Sequence, residues 1–217
     1  MTAAKRLQRY LDIERIKDLH DAVKTAFESR GPFAHNWDHT YRDTINAVWI
    51  GEAEGADMNI VVPAILLHDV GFLYDPDPYT HHLVGCEKSG AWLAGWSAAE
   101  REKIALCIKS HKGRFPGFEI EPESLEARVV HDADLLEKLG KIGILQGLRS
   151  FVEFGESGLP EYKAYKALHA IVQKQAALKN VTFYTQTGKA LAAERGGIHD
   201  RWAFYNAALS ELAAYEE

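Results

Sequence analysis

The sequence predicts an all-α protein, a single compact bundle of about nine helices over residues 1–217. Three features carry this reading. Apolar residues recur at helical spacing along most of the chain, and strand-type alternation is nearly absent. The Pro- and Gly-rich breaks near 74–80, 112–122 and 155–160 are too short to link separate domains. There is no internal repeat and no low-complexity tract. With 217 residues, 47% apolar and 26% charged, the chain has the composition of one globular core rather than of a disordered segment.

Each element follows from its own pattern. Leu7, Leu11, Ile16, Leu19, Val23 and Phe27 lie three to five residues apart, which predicts an amphipathic helix over 4–29, stopped by Gly31-Pro32. Tyr41, Ile45, Val48 and Trp49 continue the spacing over 38–54, ended by Gly55. Asp57 is placed to cap the next helix, through NIVVPAILLHDV; Pro63 is tolerated in its first turn or two, and Gly71 supplies the stop. After the turn-rich YDPDPYT comes a helix over about 81–94. Ser97 with Glu100 forms a capping-box pattern that opens a helix running to about His111. The loop KGRFPGFEIEPES precedes a helix over about 123–139, started near Glu123 or Ser124. Gly140 and Gly143 punctuate it, and KIGILQGLRSFVEF reads as a further helix ending at Gly155. Two or three helices follow, near 160–178, 187–195 and 198–215.

Charge and cysteine usage narrow the function classes. The chain carries 31 acidic and 25 basic residues, a net charge of -6, which argues against a nucleic-acid polymer as partner. A small anionic substrate held by a few local cations remains compatible. Cys86 and Cys107 are too few for a disulfide framework and read as reduced core residues. The charged start lacks the apolar core of a signal peptide, and no stretch approaches the ~20 apolar residues of a membrane span. The longest candidate, NIVVPAILLHDVGFLY, is interrupted by His68 and Asp69. A cytoplasmic protein that does not engage a membrane is expected.

The histidines are the chemical signal. With 10 histidines and 12 aspartates, chance supplies roughly half of one His-Asp dipeptide. Three occur: His68-Asp69, His131-Asp132 and His199-Asp200. The last lies in the polar ERGGIHDRW, where a capping or solvated role is expected. His68-Asp69 instead follows IVVPAILL, and burying it there costs several kcal/mol unless the pair is partnered. A hydrogen-bonded His–Asp core pair would meet that need, and so would a metal ion, for which imidazole and carboxylate are both ligands. His39 opens a helix in HNWDHTYRD, with Arg42 and Asp43 three and four residues on. Asp134 lies in EARVVHDADLLEKLG, where periodicity does not separate it from Asp132.

In chain order, His39, His68, Asp69 and Asp134 form H…HD…D, which resembles the HD superfamily of metal-dependent phosphohydrolases. HNWDHTYRDTINAV, AILLHDVG, HHLVGCEKSGAWL, IALCIKSHKG and VVHDADLLEKLGKIGIL resemble successive helices of a small bacterial branch of it. FYTQTGKALAAER also resembles that branch, so about 39–195 is covered. The resemblance implies an HD-domain helical bundle with its metal site in the middle, formed by about 35–150, and a helical extension over about 156–217. It implies that His39, His68, Asp69 and Asp134 hold one divalent ion, the ADLLE context favouring Asp134. Asp132 is then outside the ligand set or exposed. Two imidazoles and two carboxylates without a thiolate suit Mn, Fe, Co, Ni, Mg or Zn.

The same resemblance gives roles to the neighbours. In binuclear branches, histidines placed like His81 and His111 hold a second metal, and HHLVG is similar to an H-x-x-x-G element with His81 in register. Otherwise these two line the substrate pocket, with His111 as proton donor or hydrogen-bond donor to a phosphoryl oxygen. Asp69 is also a candidate to orient the attacking water. Arg42, Lys112 and Arg114 are candidates to bind substrate phosphate, against a solvated surface role. His35 is expected to make a structural hydrogen bond. The implied activity is hydrolysis of a phosphoester in a small phosphorylated substrate, a nucleotide, by a metal-activated water. The alternatives are a di-iron oxygenase and a non-catalytic metal or nucleotide sensor. A homodimer through the C-terminal helices is compatible with the acidic helical composition.

Overall fold

The structure, a computed structural model, describes residues 3–115, 118–177 and 181–215, with the backbone alone at 3–4, 114–115 and 118–119. The N-terminal segment forms two helices, α1 (Ala3–Leu11) and α2 (Glu14–Arg30), where one was expected. The reason lies in the spacing: on one straight helix, Leu7 and Ile16 would point about 180° apart. Extended backbone at Ile13, with φ -87 and ψ 111, breaks the run, and both side chains are buried. Arg6, Arg9 and Tyr10 of α1 then converge on Glu52 of α3 (Trp37–Glu54).

Polar caps set the next boundaries where they were predicted. Asn36 accepts the His39 N–H at 3.2 Å to open α3, and Gly55, with φ +75, closes it. Asp57 accepts the Asn59 N–H at 3.0 Å to open α4 (Met58–Leu67). From Ile60 to Leu67 every residue of α4 is buried, so it is the central rod of the bundle, enclosed by α2, α3 and two helices that follow. Pro63 sits in its second turn.

Gly71 does not stop α4. The helix ends at Leu67, and the chain continues through a 3-10 turn, Val70–Leu73. A Cβ on Gly71 would lie 1.9 Å from the His81 carbonyl oxygen, so the glycine permits close approach by α5 (His81–Lys88). That helix is shorter than expected and passes into a 3-10 turn, Ser89–Trp92.

Ser97 and Glu100 make the expected capping box at the start of α6 (Ala98–Ser110). The following loop holds two-residue antiparallel strands, β1 (Arg114–Phe115) and β2 (Phe118–Glu119), pairing Arg114 with Glu119 and Phe115 with Phe118. Ser124 accepts the Ala127 N–H to open α7 (Leu125–Leu136). Beyond it lie α8 (Gly140–Glu156), a 3-10 stretch (Pro160–Lys166), α9 (Leu168–Ala176), α10 (Gln186–Glu194) and α11 (Gly197–Leu212).

The described residues thus make 11 α-helices, and the all-α fold is as predicted. The main apolar core gathers around α4, with residues from α1, α2, α3, α6, α7 and α10. A smaller cluster centres on Val172, Ala176 and Tyr205, where the Tyr205 hydroxyl donates to the Ile144 carbonyl at 2.7 Å and ties α11 to α8. No helix of the described residues is long and apolar enough to cross a membrane.

The Gly71 contact is testable. Gly71→Ala should lower stability by more than ~2 kcal/mol, since backbone atoms must move to admit the methyl group. Gly90→Ala, where an added Cβ meets nothing within 4 Å, should stay within ~0.5 kcal/mol of wild type. Urea unfolding of the two variants checks the contrast.

Candidate metal centre

Five helices deliver to one place seven buried His and Asp side chains that could hold a metal ion. His39 lies in the first turn of α3, and Asp43 one turn further on. His68 ends α4, and Asp69 follows it. His81 opens α5, His111 caps the end of α6, and Asp134 stands in the last turns of α7. Their ligand atoms form two groups, each with members within 4.8 Å of one another: His39, Asp43, His68 and Asp134, then Asp69, His81 and His111.

Asp69 joins the groups. Its Oδ2 lies 3.2 Å from His39 Nε2 and 3.3 Å from His68 Nε2, while its Oδ1 lies 3.3 Å from His81 Nε2 and 3.6 Å from His111 Nε2. Asp43 Oδ2 approaches His39 Nε2 at 3.2 Å and His68 Nε2 at 3.5 Å, and Asp134 Oδ1 is 4.0 Å from His39 Nε2.

Backbone carbonyls fix the tautomers. The Nδ1 atoms of His68, His81 and His111 lie 2.7, 2.9 and 2.7 Å from the carbonyl oxygens of Ile65, Pro78 and Ile108. A carbonyl only accepts, so each Nδ1 carries a proton and each Nε2 presents a lone pair. His81 and His111 therefore face each other at 3.3 Å through two lone pairs. A proton between them would require an imidazolium. Burial, and then the charge of Lys112, oppose this, and push His81 down to about 4. His68 Nε2 and both Asp43 oxygens are buried without a hydrogen-bond partner among the described residues. Each such atom costs about 1–3 kcal/mol, and a shared cation would satisfy lone pairs and carboxylates together. The donor set fits a divalent metal.

The surrounding charges act unevenly on the carboxylates. Burial raises Asp43 well above the usual carboxylate range. Burial also pushes Asp69 upward, but the adjoining imidazoles, chiefly His68, and a hydrogen bond from His39 Nε2 hold it well below. For Asp134 the same burial is overcome by Lys138 and Lys112. Lys138 Nζ donates to Asp134 Oδ2 at 3.2 Å. Glu137 is buried 3.7 Å behind His39 Nδ1 and accepts from Arg42 Nε at 2.7 Å.

Other candidates take up definite places. The Arg42 guanidinium lies behind His39, engaged by Glu137, Asp38 and Gln146. Lys112 follows His111, partly buried, within the field of Asp134, Asp69 and Asp43. The Arg114 side chain lies outside the described residues. His35 makes the expected structural hydrogen bond, with Nδ1 2.5 Å from Glu153 Oε1.

The second His-Asp pair is structural. His131 Nδ1 reaches the His111 carbonyl at 2.7 Å. Asp132 is buried rather than exposed, and accepts from Thr185 N at 2.7 Å, Thr185 Oγ1 at 2.6 Å and Tyr184 N at 3.0 Å, which anchors the start of α10. His199 and Asp200 are exposed on α11. Sequence reasoning passed over Asp43 as a ligand, and over Glu137 and Lys138. The available signal was spacing, four residues after His39 and three and four after Asp134.

The seven candidate ligands all fall within residues 36–139, which match the HD domain family. The chain belongs to that family. Its relative YpgQ, an uncharacterized protein of Bacillus subtilis (strain 168), is 31% identical over 163 residues, 74% of this chain and 77% of YpgQ. Among solved structures, the predicted HD superfamily hydrolase of an uncultured Thermotogales bacterium has the same fold, with TM-score 0.62 and 22% identity over 96% of this chain and 98% of that one. Bacillus subtilis YpgQ in complex with ADP superposes with TM-score 0.56 and 23% identity, over 97% and 96% of the two chains.

The two aspartates of α7 should separate in a metal titration. Asp134→Ala is expected to weaken Mn affinity about 100-fold, removing the rise in melting temperature that the metal gives wild type. Asp132→Ala should keep that rise while lowering the metal-free stability by ~2 kcal/mol. Calorimetric titration beside thermal melts reads both.

Proposed function

We propose that this chain is a metal-dependent phosphohydrolase that cleaves a phosphoester bond of a small phosphorylated substrate, a nucleotide, with water as nucleophile. The supporting observation is Asp69, one buried carboxylate whose two oxygens face two separate histidine pairs. His39, His68, Asp69 and Asp134 would hold one divalent ion, Mn, Fe, Co, Ni, Mg or Zn, with Asp43 as a further carboxylate beside it. Asp69, His81 and His111 would hold a second. Bound there, such an ion lowers the pKa of its water toward about 7 and polarises a phosphoryl oxygen.

The chain's own groups do the rest. Asp69 accepts a hydrogen bond from the attacking water. Lys112 and Lys138 bind phosphoryl oxygens; the Lys138 side chain is 38% exposed and exchanges its Asp134 contact for the incoming phosphate. Arg114, at the start of β1, is the further phosphate candidate. Arg42 is a positioning residue, holding Glu137 against His39. His111 donates through Nδ1 to a backbone carbonyl, so its Nε2 lone pair suits ligation better than proton donation. The ADP complex of YpgQ supports a nucleotide as substrate.

The two-group arrangement also suits a di-iron oxygenase, and a sensor without turnover would keep the same ligands. One set of measurements distinguishes them. Phosphate release from nucleotides with Mn or Mg, one or two bound ions per chain by elemental analysis, and loss of release by more than ~100-fold in Asp69→Ala with an unchanged helical CD spectrum are expected. Release that survives in Asp69→Ala at equal metal occupancy overturns the site assignment. Two irons with oxygen uptake and no phosphate release identify the oxygenase, and metal binding with neither activity identifies the sensor.

A further inference from the structure

Beside the metal centre lies a groove of about 440 Å³, walled by Pro32, Phe33, Phe72, Pro76 and Val152. Its size falls within the ~300–1,000 Å³ of small-molecule sites. Its inner wall is continuous with the candidate ligands. The Phe72 ring stacks on His81, with centroids 4.1 Å apart and planes 12° apart, and on its other face meets His35 at 4.5 Å. Both faces of Phe72 are therefore taken, and it offers the groove an edge.

The outer wall is held rigid although it is exposed. Phe33 is 58% exposed, yet the Arg149 guanidinium covers its ring at 4.8 Å and donates to its carbonyl at 2.5 Å. Glu153 accepts from Ala34 N at 2.5 Å and from His35 N at 3.2 Å, and so pins the adjoining turn to α8. An exposed aromatic ring fixed before any ligand arrives lowers the ordering cost of binding a flat partner.

Charge tells which part of a ligand enters. The charged residues lining the groove are two acids, Glu153 and Glu156, and no Lys or Arg is among its described lining residues. Lys112 and Lys138 stand instead beside Asp134, in the metal centre. Glu153 already faces His35, Glu156 faces Lys166 and Arg149 covers Phe33. The groove therefore carries no strong net charge and suits an uncharged flat ring against its apolar walls, while the two lysines draw an anionic group to the metal side.

We propose that this groove seats the heteroaromatic base of the nucleotide substrate, stacked on Phe33, with the phosphates directed to the metal centre. The direction of the phosphates rests on the hydrolase reading; the affinity of the groove for a flat aromatic ring does not.

The test uses adenosine, which has no phosphate, on the full metal-free chain. Saturation-transfer NMR should show contact at the adenine ring protons of wild type. Val152→Trp, which fills the groove from an exposed helical position, and Phe33→Ala, which removes the stacking face, should each weaken adenosine binding about tenfold. Binding of inorganic tripolyphosphate to the metal-loaded chain should be unchanged in both. No adenosine signal in wild type, or the same affinity in all three proteins, overturns the proposal. If adenosine binding falls in both variants while wild type releases no phosphate from any nucleotide, the groove stands and the hydrolase reading fails.

Discussion

A carboxylate placed at the end of the most apolar helix in the chain organises everything around it. Asp69 follows α4, whose residues from Ile60 to Leu67 are all buried, so its charge is set deep in the bundle by the same segment that builds the core. Water cannot stabilise it there, and the surrounding helices supply the compensation. α3, α5 and α6 each present an imidazole at or near a terminus, where a nearby backbone carbonyl or an adjacent acid can orient it. Fold and site are coupled, because α3 and α6, two of the helices that enclose α4, also bring their histidines to Asp69.

The outer charges form a graded shell. Lys138 neutralises Asp134 from the solvent side, and Arg42 does the same for Glu137 behind His39. Asp43 has only His39 and His68 near it, and neither of its buried oxygens has a hydrogen-bond partner among the described residues. This uneven distribution is hard to account for as packing alone, since an apolar residue of similar size would serve better at Asp43. It is intelligible when the missing positive charge comes from outside the chain.

Much of this was legible in the sequence because local chemistry conflicted with local composition. A His-Asp pair inside an apolar run stands out, whereas Asp43, Glu137 and Lys138 look like the charged face of any helix and acquire meaning only when that face turns inward. Asp132 and Asp134 could not be separated by periodicity, yet they lie about 200° apart around α7. One points at the metal centre and the other at the amides of Tyr184 and Thr185, fifty residues further along the chain. The break at Ile13 was legible in the opposed directions of Leu7 and Ile16, but the close approach at Gly71 was hidden, because a neighbouring helix imposes it and local spacing carries no record of neighbours.

The column of rings running from Phe154 through His35 and Phe72 to His81 gives the boundary of the family match a particular meaning. Residues 36–139 contain every candidate ligand, but His35, Phe154 and Glu153 fall outside them. A fragment cut to those limits would keep all seven ligands and lose the support behind one of them. The segment that matches the family and the unit that holds the site rigid are therefore different pieces of chain. Helices beyond the ligand-bearing segment serve as its buttress, and a substitution in them can alter the site without changing a single ligand.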